Sequence, residues 1–332
     1  MTLQKNWEEF GMSKYTIGVD LGGTTISAGL VNDNHKIEYK VGCDTNLPRP
    51  SHEVEQAIAD LCFQICKDKN LDITKDIKWV GIGTPGSVET DRGLVEFSAN
   101  FGYHNWEIRD NMEKLLGCKV YIENDANAAA YGEYIDGGAK GAKYAVVITL
   151  GTGIGSGIII NGKIFAGFNH AGAELGHLVI VKDGRPCMCG RKGCWEKYAS
   201  ARALAEDTRV ALKKHPDNMM WGLIDGDLSK VNAKTAFDGM HAGDKLATEL
   251  IHNFVDYVAC GLTSTINIFQ PEILCIGGGV SKQGEALLGP IREYVDREDY
   301  ARDGQKRTKI VVAQLNNDAG IVGAASLGMQ NQ

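Results

Sequence analysis

An α/β fold is what this 332-residue sequence predicts, on three observations. Apolar strand-type runs alternate with helical periodicities along most of the chain. A strand, a Gly/Thr turn and a second strand occur near the start (YTIGVD, LGGTT, ISAGLV) and again in the middle (YAVVITL, GTGIGSG, IIINGKIF). The echo suggests two halves built on one plan, and the length is comfortable for two domains.

The elements follow in order. Tyr15–Asp20 reads as a strand and Thr24–Val31 as its hairpin partner across the glycine turn. Residues His52 to Lys69 form a helix with Val54, Ile58, Leu61 and Ile65 on one face. Trp79–Gly83 and Lys119–Ile122 are short buried strands, with an amphipathic helix through Ile108, Met112, Leu115 and Leu116 between them. After Asp125 the alanine-rich stretch to Tyr134 favours helix. In the second half, a helix starts near Ser200 and closes at His215, and a longer one runs from Asp244 to Phe269. Ile273–Ser281 is a strand meeting a triple-glycine turn, Lys309–Leu315 the last strand, and NDAGIVGAASLGM a final helix.

Composition narrows the function. Hydrophobic content of 43%, charged content of 23% and a net charge of −7 describe a soluble globular chain and argue against nucleic-acid or anionic-membrane partners. No run approaches the ~18 apolar residues of a membrane helix. Met1–Lys14 is polar and lacks the apolar core of a signal peptide, so a cytoplasmic location is expected. Six of the nine cysteines (Cys43, Cys62, Cys66, Cys118, Cys260, Cys275) lie mostly in apolar segments and read as core packing.

The other three stand apart. His177, Cys187, Cys189 and Cys194 offer one imidazole and three thiolates, the ligands of a closed tetrahedral structural zinc site. Glu174 and Glu196 flank the cluster, so a metal that orders this loop also orders two carboxylates. Trp195 and Tyr198 read as core, His170 as structural, and the charged run Arg297–Arg307 as a solvated face.

Three glycine turns follow strands: Asp20–Thr25, Leu150–Gly155 and Ile276–Val280. Glycine lets backbone N–H groups approach an anion closely, and three such turns fit a bound nucleotide. None is a Walker-type loop, and no dinucleotide fingerprint opens an early βαβ unit. Asn124 and Asp125 end a strand before a helix, so they either cap that helix or present a carboxylate to a substrate hydroxyl.

These motifs together resemble the ROK family of sugar kinases and repressors, most of all its bacterial glucokinases. The resemblance runs from about Tyr15 to Met329 through GVDLGGTT, GIGTPG, ENDANAAA, LGTGIGSGIIINGKI, ELGH, CMCGRKGCWE, IGGGVS and NNDAG. It implies the actin-like ATPase fold: two ribonuclease-H-like domains with a cleft between them. The smaller would span 1–124, completed by a C-terminal helix at 317–330, and the larger 125–316, with the zinc loop at 177–196. By resemblance Asp125 is the catalytic base, and Asn100, Asn124, Asp125, Glu174, His177 and Glu196 hold the sugar hydroxyls. Asp20 lies near Mg2+; Gly22, Gly23, Thr24 and Thr25, with Gly151, Thr152 and Gly153, line the ATP phosphates; Gly278 and Gly279 meet the adenosine. Many relatives carry lysine where Thr25 stands, which leaves phosphate contact there to backbone and hydroxyl groups.

The reaction so implied is ATP-dependent phosphorylation of the C6 hydroxyl of glucose. N-acetylmannosamine, N-acetylglucosamine, fructose or mannose are alternative substrates, polyphosphate an alternative donor, and a sugar-responsive regulator an alternative class. Against the regulator, the ~14 residues before Tyr15 are too few for a helix-turn-helix. Relatives are commonly dimers, so a homodimer or larger homo-oligomer is implied.

Overall fold

The structure is a computed structural model that describes residues 14–331. The reading of the amino-terminal segment as polar and leaderless falls on residues outside this range, apart from Lys14. Contacts divide the chain into two compact units.

In unit 1, β1 (Tyr15–Leu21), β2 (Thr25–Asn32) and β3 (Ile37–Asp44) form an antiparallel meander. Helix α1 (Ser51–Lys69) leads to β4 (Ile77–Thr84), which pairs parallel with β1. A small antiparallel sheet follows, made of β5 (Ser87–Glu89), β6 (Leu94–Ser98) and β7 (Tyr103–Trp106). Then α2 (Ile108–Leu116) leads to β8 (Val120–Asn124), parallel to β4, and α3 (Asp125–Asp136). The main sheet runs β3-β2-β1-β4-β8.

Strand alternation gives this sheet two unlike faces. Ile17, Val19, Leu21, Ile26, Ala28, Leu30, Val80 and Ile82 join one apolar core with Val54, Ile58, Ile65 of α1 and Met112, Leu116 of α2. The intervening positions carry Gly18, Gly29 and Gly81, and β1 ends that row with Asp20. Large side chains therefore face one helical layer and bare backbone faces the other.

Unit 2 repeats the plan. Strands β9 (Tyr144–Leu150), β10 (Ile154–Ile160), β11 (Lys163–Ile164), β12 (Ile273–Gly277) and β13 (Lys309–Val312) run in the order β11-β10-β9-β12-β13. As in unit 1, two antiparallel pairings are followed by two parallel ones. Its helices are α4 (Glu196–Ala199), α5 (Ala201–Lys214), α6 (Met220–Leu223), α7 (Ala233–His241), α8 (Lys245–Phe269) and α9 (Glu285–Glu298). Side-chain caps start three of them: Ser200 accepts from Ala203 N–H at 3.2 Å, Asp244 from Ala247 N–H at 2.7 Å, and Asn232 forms a capping box with Thr235.

Trp195 is fully buried, its indole N–H donating to the Tyr257 carbonyl at 2.8 Å, and Tyr198 is buried beside it. Both are core, as expected. Of the six remaining cysteines, Cys62, Cys66 and Cys275 are buried but Cys43 is exposed, because β3 is an edge strand. The charged run is not simply solvated either. Arg307 bonds Asp299 at 3.2 Å, and Asp299 is buried, so this segment is tied down by a half-buried ion pair.

Helix α10 (Ala319–Ser326) returns to unit 1, where it covers the bare face of the sheet and packs on α3. A Cβ added at Gly18 would lie 1.9 Å from the Ile321 carbonyl oxygen, and one at Gly81 1.8 Å from that of Ala324. Gly132 of α3 meets Ala319 in the same way at 2.1 Å. Because α3 packs on α10, unit 1 reaches Asp136 rather than ending before Asp125, and it also takes Ala166–Ala171. Unit 2 is Gly137–Phe165 and Gly172–Asn316. Among the described residues no helix is long and apolar enough to cross a membrane.

Candidate active site and metal centre

Each glycine turn sits at the end of a strand. In unit 1 the β1–β2 turn is closed by Gly22 N–H donating to the Thr25 carbonyl at 2.9 Å. Buried Thr45 latches it, its hydroxyl on the Gly22 carbonyl at 2.7 Å and its N–H on that of Thr24 at 2.8 Å. In unit 2 the β9–β10 turn closes through Gly151 N–H on the Gly153 carbonyl at 3.0 Å. After β12, Gly278 has φ 84° and a Cβ there would meet the Leu150 carbonyl oxygen at 2.5 Å, so only glycine fits. Gly23, Gly151 and Gly279 have nothing within 4 Å of a Cβ position. One glycine of each turn thus opens backbone to an approaching ligand, which suits phosphate and nucleoside groups.

Asn124 ends β8 and Asp125 begins α3. The Asn124 carboxamide oxygen accepts from Ala126 N–H at 3.0 Å and Asn127 N–H at 3.2 Å, and its amide donates to the Gly86 carbonyl at 3.1 Å. Asn124 therefore does cap the helix, and one amide hydrogen remains. Asp125 accepts from Ala126 N–H at 2.9 Å, and burial holds its carboxyl above the ordinary range. Behind them Glu123 is buried, accepting from Asn124 N–H at 2.8 Å and the Asn127 amide at 3.1 Å; burial raises its pKa as well. Asn100 is exposed in the turn after β6. His170 lies 3.3 Å from the Thr90 hydroxyl and 3.7 Å from Asp91, a structural tie within unit 1.

The Asp20 carboxyl is also held well above the ordinary carboxylate range. Burial first, then the charge of Asp125, push its pKa up to about 6, with Lys40 opposing. The hard oxygens of Asp20, beside a second carboxylate, fit Mg2+. A folded-state pKa above the unfolded value means the ionised form is disfavoured by the fold. The group's stabilising contribution is present below the unfolded pKa and lost as pH rises through about 6. Asp20→Asn is therefore expected to melt higher than the native protein at neutral pH, by ~2 kcal/mol after discounting for partial exposure. The gap should close as pH falls from about 6 to below 3.8, and thermal melts across that range check it.

In unit 2 the ligand atoms of His177, Cys187, Cys189 and Cys194 all lie within 4.8 Å of one another. Cys189 and Cys194 Sγ are 3.6 Å apart, and Cys187 Sγ is 3.6 Å from His177 Nδ1. A tetrahedral zinc site has sulfur–sulfur edges of about 3.8 Å, so the four residues fit the ion. Burial pushes the Cys187 thiol up to about 12, whereas the Arg191 N–H helps hold Cys189 low. Glu174 is exposed at the start of the single turn Leu175–His177. Glu196 Oε1 accepts from Cys187 Sγ at 3.2 Å, and its Oε2 lies where a Gly153 Cβ would be 2.8 Å away. One carboxylate thus touches both the metal loop and a glycine turn.

Within unit 1 the structure gathers Asp20, the turn 22–25, Asn124 and Asp125; within unit 2 it gathers the turn 151–153, His177, the three cysteines and Glu196. Sequence reasoning missed Thr45, Lys40 and Glu123. A carboxylate closing an apolar strand was a usable signal for Glu123; Thr45 and Lys40 matter through tertiary contacts alone.

The profile of the ROK family matches residues 16–331. A glucokinase of Thermotoga maritima is 41% identical over 313 residues, 94% of this chain and 96% of its own length. The crystal structure of a ROK family glucokinase from Streptomyces griseus, in complex with glucose and AMPPNP, is 36% identical with a TM-score of 0.77, covering 94% of this chain and 98% of that one. A ROK hexokinase from Thermus thermophilus is 31% identical with a TM-score of 0.81, covering 96% of this chain and 100% of that one.

Proposed function

The chain belongs to the ROK family, and on that premise we propose that it is a glucokinase, transferring the terminal phosphoryl group of ATP to the C6 hydroxyl of glucose. The observation that carries this reading is the 41% identity to a glucokinase across nearly the full length of both chains. The solved relative with glucose and AMPPNP supports the same substrate pair.

The chemistry then follows from the residues. Asp125 accepts the C6 hydroxyl proton as that oxygen forms its bond to the γ-phosphorus and the bridging oxygen leaves with ADP. A carboxyl held above its ordinary pKa is the better proton acceptor for this step. Glu174 and Glu196 accept hydrogen bonds from ring hydroxyls; Asn100 and the remaining amide hydrogen of Asn124 donate to them. His177 gives Nδ1 to the zinc cluster, which leaves Nε2 for a sugar hydroxyl. Amides of the turns at Gly22–Thr25 and Gly151–Gly153 hold phosphate oxygens, and Gly278–Gly279 borders the adenosine. Mg2+, when bound at Asp20, neutralises charge on the phosphoryl oxygens. His177, Cys187, Cys189 and Cys194 would hold zinc, and binding there would order the loop that carries Glu196.

Coupled ADP-release measurements over glucose, mannose, fructose, N-acetylglucosamine and N-acetylmannosamine test the assignment. Glucose is expected to have the highest kcat/KM, and a higher value for an N-acetylated hexose would reassign the substrate.

A further inference from the structure

We propose that Gly320 is a positioning residue for Asp20: its missing side chain is the space in which the Asp20 carboxyl lies. The proposal rests on the reading of Asp20 as the carboxylate at the metal–nucleotide end of the reaction.

The geometry is specific. A Cβ built on Gly320 would lie 2.7 Å from Asp20 Cγ, 2.8 Å from Oδ2 and 3.0 Å from Oδ1, and these are its three nearest atoms. The other glycine of α10, Gly323, has a different reason to be glycine: its Cβ would meet the Ala128 carbonyl oxygen at 1.7 Å, backbone against backbone. Helix packing accounts for Gly323 but not for Gly320, whose would-be neighbour is the end of one side chain. Gly320 is the second residue of α10 and its φ is not positive, so the backbone there does not itself require glycine. Here the occupant is Asp20, the last large-face-opposite residue of β1 and the only acidic one in that strand.

A second contact joins the same helix end to the same sheet. Lys40 of β3 pairs with Asp318, immediately before α10, at 2.5 Å, and the Lys40 charge is one that acts on Asp20. The start of α10 therefore sets both the room and part of the charge around this carboxylate. Alanine at 320 can be accommodated by turning the Asp20 side chain, since only its free end is in the way. The protein should fold and Asp20 should point elsewhere.

The test compares Gly320→Ala, Asp20→Asn and the pair Asp20→Ala/Gly320→Ala. For Gly320→Ala we expect kcat to fall about 10²-fold with the glucose KM little changed, as for a misplaced group on the phosphoryl side. Mn2+ binding to the enzyme with ADP, read by electron paramagnetic resonance without turnover, should weaken by about 10-fold. Native-like kcat and Mn2+ affinity in Gly320→Ala, with both lost in Asp20→Asn, would overturn the positioning role alone. Native-like behaviour of Asp20→Asn would instead overturn the reading of Asp20. If Gly320→Ala does not purify folded, the double variant decides. Removal of the carboxyl should restore a native melting temperature, and a melting temperature that stays low overturns the proposal.

Discussion

Asp125→Asn is expected to lower kcat by roughly 10³-fold, within the range that a general base contributes, while the protein stays folded. The substitution separates the two roles that the residue's place at a helix start allows. Asparagine caps a helix as well as aspartate does, and its oxygen can still accept the Ala126 N–H. What it cannot do is take a proton. Nor should stability suffer, because burial already disfavours the ionised carboxyl that the change removes. Asp125→Ala should lose a similar factor and also raise the glucose KM, since it deletes the contact with the hydroxyl. Steady-state kinetics on both variants decide the matter. An Asp125→Asn enzyme with near-native turnover would remove this residue from the reaction.

The second large effect is expected at the metal. Cys189→Ser, or exhaustive chelation, should lower the melting temperature by roughly 10 °C or more, because binding energy at a structural zinc site is folding energy. Cys189 is exposed, so its replacement removes a ligand without opening the core. The glucose KM should rise by about 10-fold at the same time. The reason is local: Glu196 leans on Cys187 and begins α4 two residues after Cys194, so its carboxylate is placed by the folded loop. Calorimetry, zinc content and KM measured on one preparation test the coupling. Verified metal loss with both quantities unchanged would show that the loop stands without the ion.

Much of this was legible in the sequence, and the reasons differ by feature. The two hairpins and their glycine turns were visible because strand alternation and the composition of a tight turn are local properties. The sheet orders then repeat between units as the echo of the two turns suggested. The metal cluster was legible because its chemistry is carried by residue type and short spacing. The small β5–β7 sheet and α9 were not: the three strands are too short to show alternation, and Pro290 inside α9 reads as a helix breaker although Leu287, Leu288, Ile291 and Val295 keep the helical spacing. The end of unit 1 at Asp136 also escaped notice: it depends on α3 packing against a helix nearly two hundred positions later. Asn124 shows the remaining limit. Its residue type and place fit either capping or substrate contact, yet the side chain has enough hydrogen-bonding groups to cap and still keep a donor.

The seat of α10 has a consequence for biosynthesis. Gly18 and Gly81 are translated well before residues 319–326, yet the backbone they are shaped to receive belongs to that stretch. A nascent chain can pair β1 with β2 and β4 long before that stretch is translated, leaving one side of the sheet uncovered. Completion of the first unit therefore waits on translation of residues 319–326, and with it the arrangement around Asp20. A polypeptide released short of Ala319 would lack that covering layer however well its second unit had formed.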